Sequence, residues 1–368
     1  MKITLQREQL LKPLQMVIGA VDHKQAVPIL SNVLLCINNN QLSVTGTDLE
    51  IELIGQESLT QQISNSALTL PARKLMDICK ALPDFAPIEL YQEKNCVVVK
   101  SERSRFTMST MPADDFPSVG ALEDHLVFQI LQKDFSTILH QTAFAMAQQD
   151  VRYYLNGMLF AIEECRFKVV ATDGHRLALN QIKIDVSPTQ TTQVIVPYKA
   201  IMELMRLLKD SEQTIHVNIS HHHIRITSND FIFTSKLLEG RFPDYQRVIP
   251  KTGDKIITVH RDTLKQALLR TAVLCNEKAR GVRFELQNNL LKLFSNNPKH
   301  EVAEEEIDVN YHGPQFEICF NINYLIDVLS VLRSESVRLT LIDTNHGVRI
   351  DDLDKNTNSI FVVMPMRI

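Results

Sequence analysis

Three stretches decide how this chain reads: Lys2–Val21, KITLQREQLLKPLQMVIGAV; Leu126–Met146, LVFQILQKDFSTILHQTAFAM; and Lys255–Cys275, KIITVHRDTLKQALLRTAVLC. Each is a short β-rich run, then a charged or polar pair, then apolar residues at helical spacing. Their starts lie 124 and 129 residues apart. Other landmarks recur at a similar step. Val33-Leu34-Leu35, Met158-Leu159-Phe160 and Val282-Arg283-Phe284 each open a pair of strands. LTLPARKLMDICKAL from Leu68 returns as QVIVPYKAIMELMRLL and again as EICFNINYLIDVLSVL. Pro71 and Pro197 are 126 residues apart, as are Phe116-Pro117 and Phe242-Pro243, while Thr47-Asp48 and Thr172-Asp173 are 125 apart. Recurrence of so many features in one order marks a repeat architecture.

Each unit reads β-α-β-β-β twice over, with two helices and about eight short strands. Runs of strands with few helices imply an α+β class built on antiparallel sheets. The expected domains are 1–125, 126–253 and 254–368, joined through Pro112–Asp124 and Gly240–Asp254, both rich in Pro, Gly and acids. Helices are expected within 7–21, 71–82, 132–147, 199–210, 261–274 and 321–333. Pro13 falls inside the first of these and should kink or weaken it.

Composition narrows the class. The 368 residues carry 39 Lys+Arg against 43 Asp+Glu, a net charge of −4, with 44% hydrophobic residues. Disorder, collagen and coiled coil are excluded as the main class. Only 11 glycines occur, and no G-x-G turn or G-x-x-x-x-G-K-[ST] loop exists to cradle phosphates. Cys36, Cys79, Cys96, Cys165, Cys275 and Cys319 are widely spaced, without a C-x-x-C pair, and read as reduced, buried thiols of a cytoplasmic protein. No signal-like or membrane-spanning apolar run is present, and no cofactor is expected. The helix windows hold 13 cations and 7 anions, a net +6, which leaves −10 for the rest of the chain. Basic helices beside acidic sheets suit a surface that faces phosphates, although solvated helix faces explain the same count.

Several stretches resemble the β subunit of bacterial DNA polymerase III, the sliding-clamp family. They are QDVRYYLNGMLF at Gln149–Phe160, ATDGHRLA at Ala171–Ala178, FIFTSKLLEGRFPDYQRVIP at Phe231–Pro250 and VMPMRI at Val363–Ile368. PILSNVLL, LSVTGTDLEIE, RSRFTMSTMPADDFP and NEKARGVR add to these, so the resemblance spans the chain. It implies three repeated DNA-clamp domains, each with two helices backed by antiparallel sheets, forming half of a head-to-tail dimeric ring. The implied activity is non-enzymatic. Such a ring encircles double-stranded DNA without sequence preference. It tethers the DNA polymerase III alpha subunit, the clamp loader, other polymerases and repair proteins through short linear motifs.

The resemblance also assigns residues. A partner-peptide cleft would use Leu155, Thr172, Gly174, His175, Arg176, Leu177, Pro243, Arg247, Val248, Asn321, Tyr324, Val362, Met364, Pro365, Met366 and Arg367. Apolar lining with one adaptable methionine and a few polar anchors suits varied partners. DNA would meet Lys24, Arg73, Gln149, Tyr153, Tyr154 and Lys199, with Gln148 beside them. Lys24 replaces the family's Arg, keeping the charge but losing the guanidinium fork. At a dimer seam, Lys74, Arg103, Arg105, Phe106 and Met108 would face Val273, Leu274, Glu301, Glu304 and Glu305.

Two other readings compete. A monomeric interaction scaffold would never encircle DNA. A metal-dependent nuclease would use Asp48 and Asp173, but these occupy equivalent places one repeat apart and need not converge. A turn aspartate bonding backbone N–H groups explains both. The run His221-His222-His223 alternates faces on a strand, which argues against a metal site.

Overall fold

The computed structural model describes residues 2–21, 27–59, 65–123, 125–186, 191–354 and 358–367. The order β-α-β-β-β-β-α-β-β-β occurs in it three times, with 24 strands and six α-helices among the described residues. The helices are α1 Arg7–Val17, α2 Ala72–Ala81, α3 Gln132–Thr142, α4 Tyr198–Leu207, α5 Arg261–Thr271 and α6 Ile322–Val331. They are shorter than their periodic windows. After α1, α3 and α5 the apolar pattern continues into a 3₁₀ turn, at Ile18–Ala20, Ala143–Ala145 and Ala272–Leu274. One further apolar contact at i+3 spacing looks alike in sequence for either helix type.

Local chemistry sets the boundaries. At the first strand-to-helix step the Gln6 N–H donates to Gln9 Oε1 at 2.9 Å, satisfying a donor the helix leaves open. Pro71 directly precedes α2 and Pro197 directly precedes α4. The third repeat has Asn321 there instead, whose side chain accepts the Asn323 N–H at 3.0 Å. Pro13 does not break α1: the helix runs through it with the proline buried. Gly55 explains the fit, because a Cβ there would lie 2.8 Å from the Pro13 Cα. The missing side chain lets α1 lie close on the strand Ile51–Ser58.

The chain divides into two compact units. The first comprises Met1–Lys133 and Arg206–Leu237, the second Asp134–Met205 and Leu238–Ile368. Neither coincides with one repeat, because each is organised on an eight-stranded antiparallel sheet drawing four strands from each of two repeats. In the first unit the join is Ile51–Ser58 against Phe231–Lys236, with Glu52 opposite Thr234. In the second it is Arg176–Lys183 against Ile360–Val363, with Leu177 opposite Val362. Each unit also has a four-stranded sheet. Its two edge strands are Lys2–Gln6 and Ser104–Ser109 in the first unit, and Val302–Asp308 and Phe316–Asn321 in the second.

The cores lie between sheets and helices. In the second unit Phe160 packs edge-on against Phe167 at 5.1 Å and Phe135 at 6.0 Å, all three fully buried. Helix α6 buries Ile322, Leu325, Val328 and Leu329, each worth about 1.5–3 kcal/mol. The six cysteines are unbridged; Cys79, Cys275 and Cys319 are buried, but Cys165 is exposed on a hairpin turn with φ 59°. Burial, expected for every cysteine, therefore fails at Cys165: the turn needs a left-handed residue and turns it to solvent. The expected linkers are tied down. Phe116 packs with Ile29 and Leu30, and Phe242 joins a cluster with Leu177, Tyr245 and Val362.

Candidate partner-peptide cleft

The cleft grows from one turn. Between the strands Arg166–Thr172 and Arg176–Lys183, Thr172 Oγ1 donates to the Arg176 carbonyl at 2.7 Å. Asp173 Oδ1 accepts the N–H groups of His175 and Arg176 at 2.8 and 3.0 Å. Gly174 sits at φ 89°. The first repeat builds the same turn with Thr47 and Asp48, which accepts from Glu50 and Ile51 at 2.9 and 2.8 Å. In the third, Asn297 Oδ1 accepts from Lys299 and Glu301 at 3.0 and 3.2 Å. Asp48 and Asp173 are therefore turn acceptors, and among the described residues no three His, Cys, Asp or Glu side chains gather as a metal site.

Arg176 fixes the turn to the third repeat. Its Nε donates to Asp173 Oδ2 at 3.1 Å and its Nη1 to Asp327 on α6. The guanidinium lies 4.6 Å from the Tyr324 ring centroid and 5.3 Å from that of Phe144. His175 stacks on Tyr324 at 6.3 Å, and burial pushes the Tyr324 hydroxyl pKa up. Past the turn, Leu177 pairs with Val362, and the Met364 N–H donates to the His175 carbonyl at 2.8 Å. Gly347 makes room for this end of the chain: a Cβ there would meet Val362 Cγ1 at 2.6 Å and Met364 Sδ at 3.1 Å.

The segment Phe242–Pro250 supplies the remaining wall. Arg349 donates to the Pro250 carbonyl at 3.3 Å, and Phe242 and Tyr245 are buried. The result is a largely apolar cavity of about 200 Å³. It is lined by Leu155, Thr172, Gly174, Arg176, Leu177, Pro243, Val248, Val362 and Met364, nine of the sixteen residues expected there. Arg152, Tyr154, Asp244 and Tyr245 also line it. No sequence signal separated Tyr154 from its neighbour: it lines this cavity, whereas Tyr153 is half exposed against Gly240. Arg152 lies over the turn, its Nη1 3.2 Å from where a Gly174 Cβ would stand. The Arg152 guanidinium and N–H hold the Asp150 carboxyl down at about 2.

The other expected cleft residues lie beside the cavity. His175 and Tyr324 line a neighbouring groove of about 720 Å³ with Gln148 and Gln149. Arg247 lines a third, of about 540 Å³, which shares Val248 and Met364 with the cleft. Pro365 bridges Phe320, and the Met366 N–H donates to the Cys319 carbonyl at 2.8 Å, so this terminal run is held to the strand that ends at Asn321. Arg367 is exposed.

Elsewhere the expected residues are placed as follows. Arg73 and Lys199 are exposed at the second position of α2 and α4, and Gln149 is exposed with φ 57°. Lys24 lies outside the described residues. Several helix cations are taken up locally. Lys12 pairs with Glu57 at 2.8 Å, Lys209 with Asp230 at 2.8 Å, and Arg206 donates to the Gln15 carbonyl at 2.9 Å. The simple sum of +6 thus overstates the field near the helices, because strand and loop acids sit against them. Arg103, Arg105 and half-buried Phe106 belong to the edge strand Ser104–Ser109 or its turn, whereas Met108 is buried in its own fold. Lys74, Glu301 and Glu304 are exposed, Leu274 is half-buried, Val273 is 77% exposed, and Glu305 makes a two-pronged pair with Arg270 at 2.6 and 2.8 Å.

The three-fold repeat of β-α-β-β-β pairs is the architecture that the resemblance to sliding clamps implies. Residues 1–120, 129–244 and 246–367 match the N-terminal, central and C-terminal domains of the DNA polymerase III beta subunit. The beta sliding clamps of Pseudomonas aeruginosa and Escherichia coli K12 are 50% and 47% identical to it over 368 residues, all of each chain. A crystal structure of the Pseudomonas aeruginosa clamp bound to griselimycin superposes with a TM-score of 0.97 at 49% identity, covering both chains fully. The chain belongs to the DNA polymerase III beta subunit family. It is a sliding clamp: a processivity factor for replication, without catalytic activity of its own. No helix among the described residues is long and apolar enough to cross a membrane.

Proposed function

We propose that two copies of this chain join head to tail into a ring around double-stranded DNA in the cytoplasm. Domains would meet at 125/126 and 253/254. The ring slides without reading sequence. It tethers the DNA polymerase III alpha subunit, the clamp loader and other polymerases and repair proteins, whose short linear motifs enter the apolar cleft. The pattern of sheet edges carries this reading. Repeats inside the chain are joined by antiparallel strand pairing, and of the two open edges on each four-stranded sheet, Ser104–Ser109 and Val302–Asp308 would take the neighbour. One edge bears Arg103 and Arg105, the other Glu304, Glu305 and Glu306, which favours head-to-tail pairing over like with like. Exposed ion pairs contribute only about 0.2–1 kcal/mol each, so Phe106, Val273, Leu274 and the strand hydrogen bonds would carry most of the affinity. Glu305 is already engaged by Arg270, Glu306 by Lys292, and Glu301 accepts from Asn297 Nδ2 at 2.5 Å, which leaves Glu304 as the freest acid.

On DNA, Arg73, Gln149, Tyr153, Lys199 and Lys24 would make weak, screened contacts with the backbone. A closed ring needs no more, because topology retains it. The test is retention: clamp loaded on nicked circular DNA is expected to stay through a salt wash and to leave once the circle is cut. Equal retention on circular and linear DNA would show that the protein does not encircle.

A further inference from the structure

The two linkers between repeats differ in length, and the difference is displayed rather than buried. After Phe116 the first linker runs four residues to Gly120, whose carbonyl Arg225 takes at 3.0 Å. After Phe242 the second runs eight residues to Pro250, held in the same way by Arg349. Arg225 and Arg349 are equivalent: each is paired across its sheet with the residue at the repeat join, Thr234 or Val362. On the short linker the Val119 N–H donates at 2.7 Å to buried Glu52. The longer one carries an extra turn, Tyr245–Arg247, followed by Val248. It leaves the Arg247 side chain 83% exposed and Val248 45% exposed. A bridging role needs neither.

Opposite this turn stands the hairpin loop 342–347 of the third repeat. Together they form the groove of about 540 Å³ that continues the cleft through Asp244, Val248 and Met364. Its lining carries two cations, Arg247 and Lys251, against one carboxylate. Arg247 gives only Nε to Asp244, at 2.7 Å, which leaves the other guanidinium N–H groups for a ligand. Lys251 lines the groove without an ion-pair partner among the described residues. His346 is held by Asp343 at 2.9 Å. Asp244 is the one carboxylate in the lining.

We propose that this groove selects partner segments carrying Asp or Glu beside their apolar anchor, with Lys251 and Arg247 reading the acids. The inference rests on the cleft reading above, since the anchor must sit in the cleft for its flank to reach the groove. Two exposed pairs formed on binding are expected to give an acidic flank about a threefold to tenfold advantage, reduced by salt.

Three fluorescein-labelled peptides test this by fluorescence polarisation on the full chain. They share a Leu-Phe anchor and carry Asp-Asp, Gln-Gln or Lys-Lys on both sides. The acidic peptide should bind tightest and the basic one weakest, and Lys251→Glu should reverse that order. Equal affinities, or an order unmoved by Lys251→Glu, overturn the proposal while the neutral peptide's binding leaves the cleft standing. Binding by none of the three removes the cleft reading and this inference with it.

Discussion

Replacing Val362 with threonine carries the residue of one repeat join into the other. At the first join Thr234 is buried, and its hydroxyl accepts from Arg225 Nε at 3.0 Å. At the second, Arg349 Nε is already held by the Asp351 carboxylate at 2.9 and 3.0 Å. A hydroxyl introduced at Val362, which is 1% exposed, would therefore lack that donor at the base of the cleft. Valine and threonine match in shape, so packing is preserved and polarity alone changes. A buried hydroxyl without a partner costs about 1–3 kcal/mol in proteins. Part of that cost falls on folding. Because Val362 is already buried in the free protein, only a minor part appears when a peptide seals the cleft, about 0.5–1 kcal/mol, a loss of affinity of about 2- to 5-fold. Fluorescence polarisation with an apolar-anchored peptide measures the affinity, and thermal melting of the same sample measures the folding cost. Affinity within twofold of the parent protein, together with a lowered melting temperature, would show that Val362 supports the fold but does not receive the partner.

Two further outcomes follow from buried and edge positions. Burial raises the Glu52 pKa above its ordinary 4.5, against the pull of the Val119 N–H and Arg225. A carboxyl with a raised folded pKa stabilises most in its protonated form, below the ordinary value, and this contribution is lost as pH rises through the raised one. Glu52→Gln removes that dependence. Urea midpoints should shift in favour of the variant as pH rises from about 4.5 towards neutrality, and a difference that stays flat with pH refutes the assignment. At the other end of the first repeat, Phe106→Asp puts a charge on the edge strand opposite the proposed acidic partner. Light scattering should then report 42.0 kDa in place of twice that mass, and an unchanged dimer would move the seam elsewhere.

Much of the fold could be read in the residues because its rules are local. The strand and helix order of each repeat follows from periodicity, and the Thr-Asp turns from an acceptor two and three residues ahead of its donors. Errors arose where a distant neighbour intervened. The resemblance puts Met108 at the dimer seam, whereas its side chain is buried within its own unit. Tyr153 and Tyr154 are adjacent in sequence, yet one is half exposed and the other lines the cavity. Counting charges by element suggested segregation, whereas Lys12, Lys209 and Arg270 each meet an acid at least 21 residues away in sequence.

The sequence by itself determined that the chain is a three-fold repeat, where its strands and helices fall, which residues turn it and to which family it belongs. Those properties rest on spacing and on contacts between near neighbours. Only the tertiary structure decided what covers each repeat join: at the first the Val119 N–H meets Glu52, and at the second a cavity of about 200 Å³ opens. Glu52 and Leu177 hold matching positions, but what lies over them depends on strand register and on how far the following linker bulges. A short linker brings the Val119 N–H within reach of the Glu52 carboxylate. A linker with one extra turn leaves apolar walls facing each other across a gap. No single stretch of chain contains both walls, so the cleft exists only once Leu155, Leu177, Val248 and Val362 are brought together by folding.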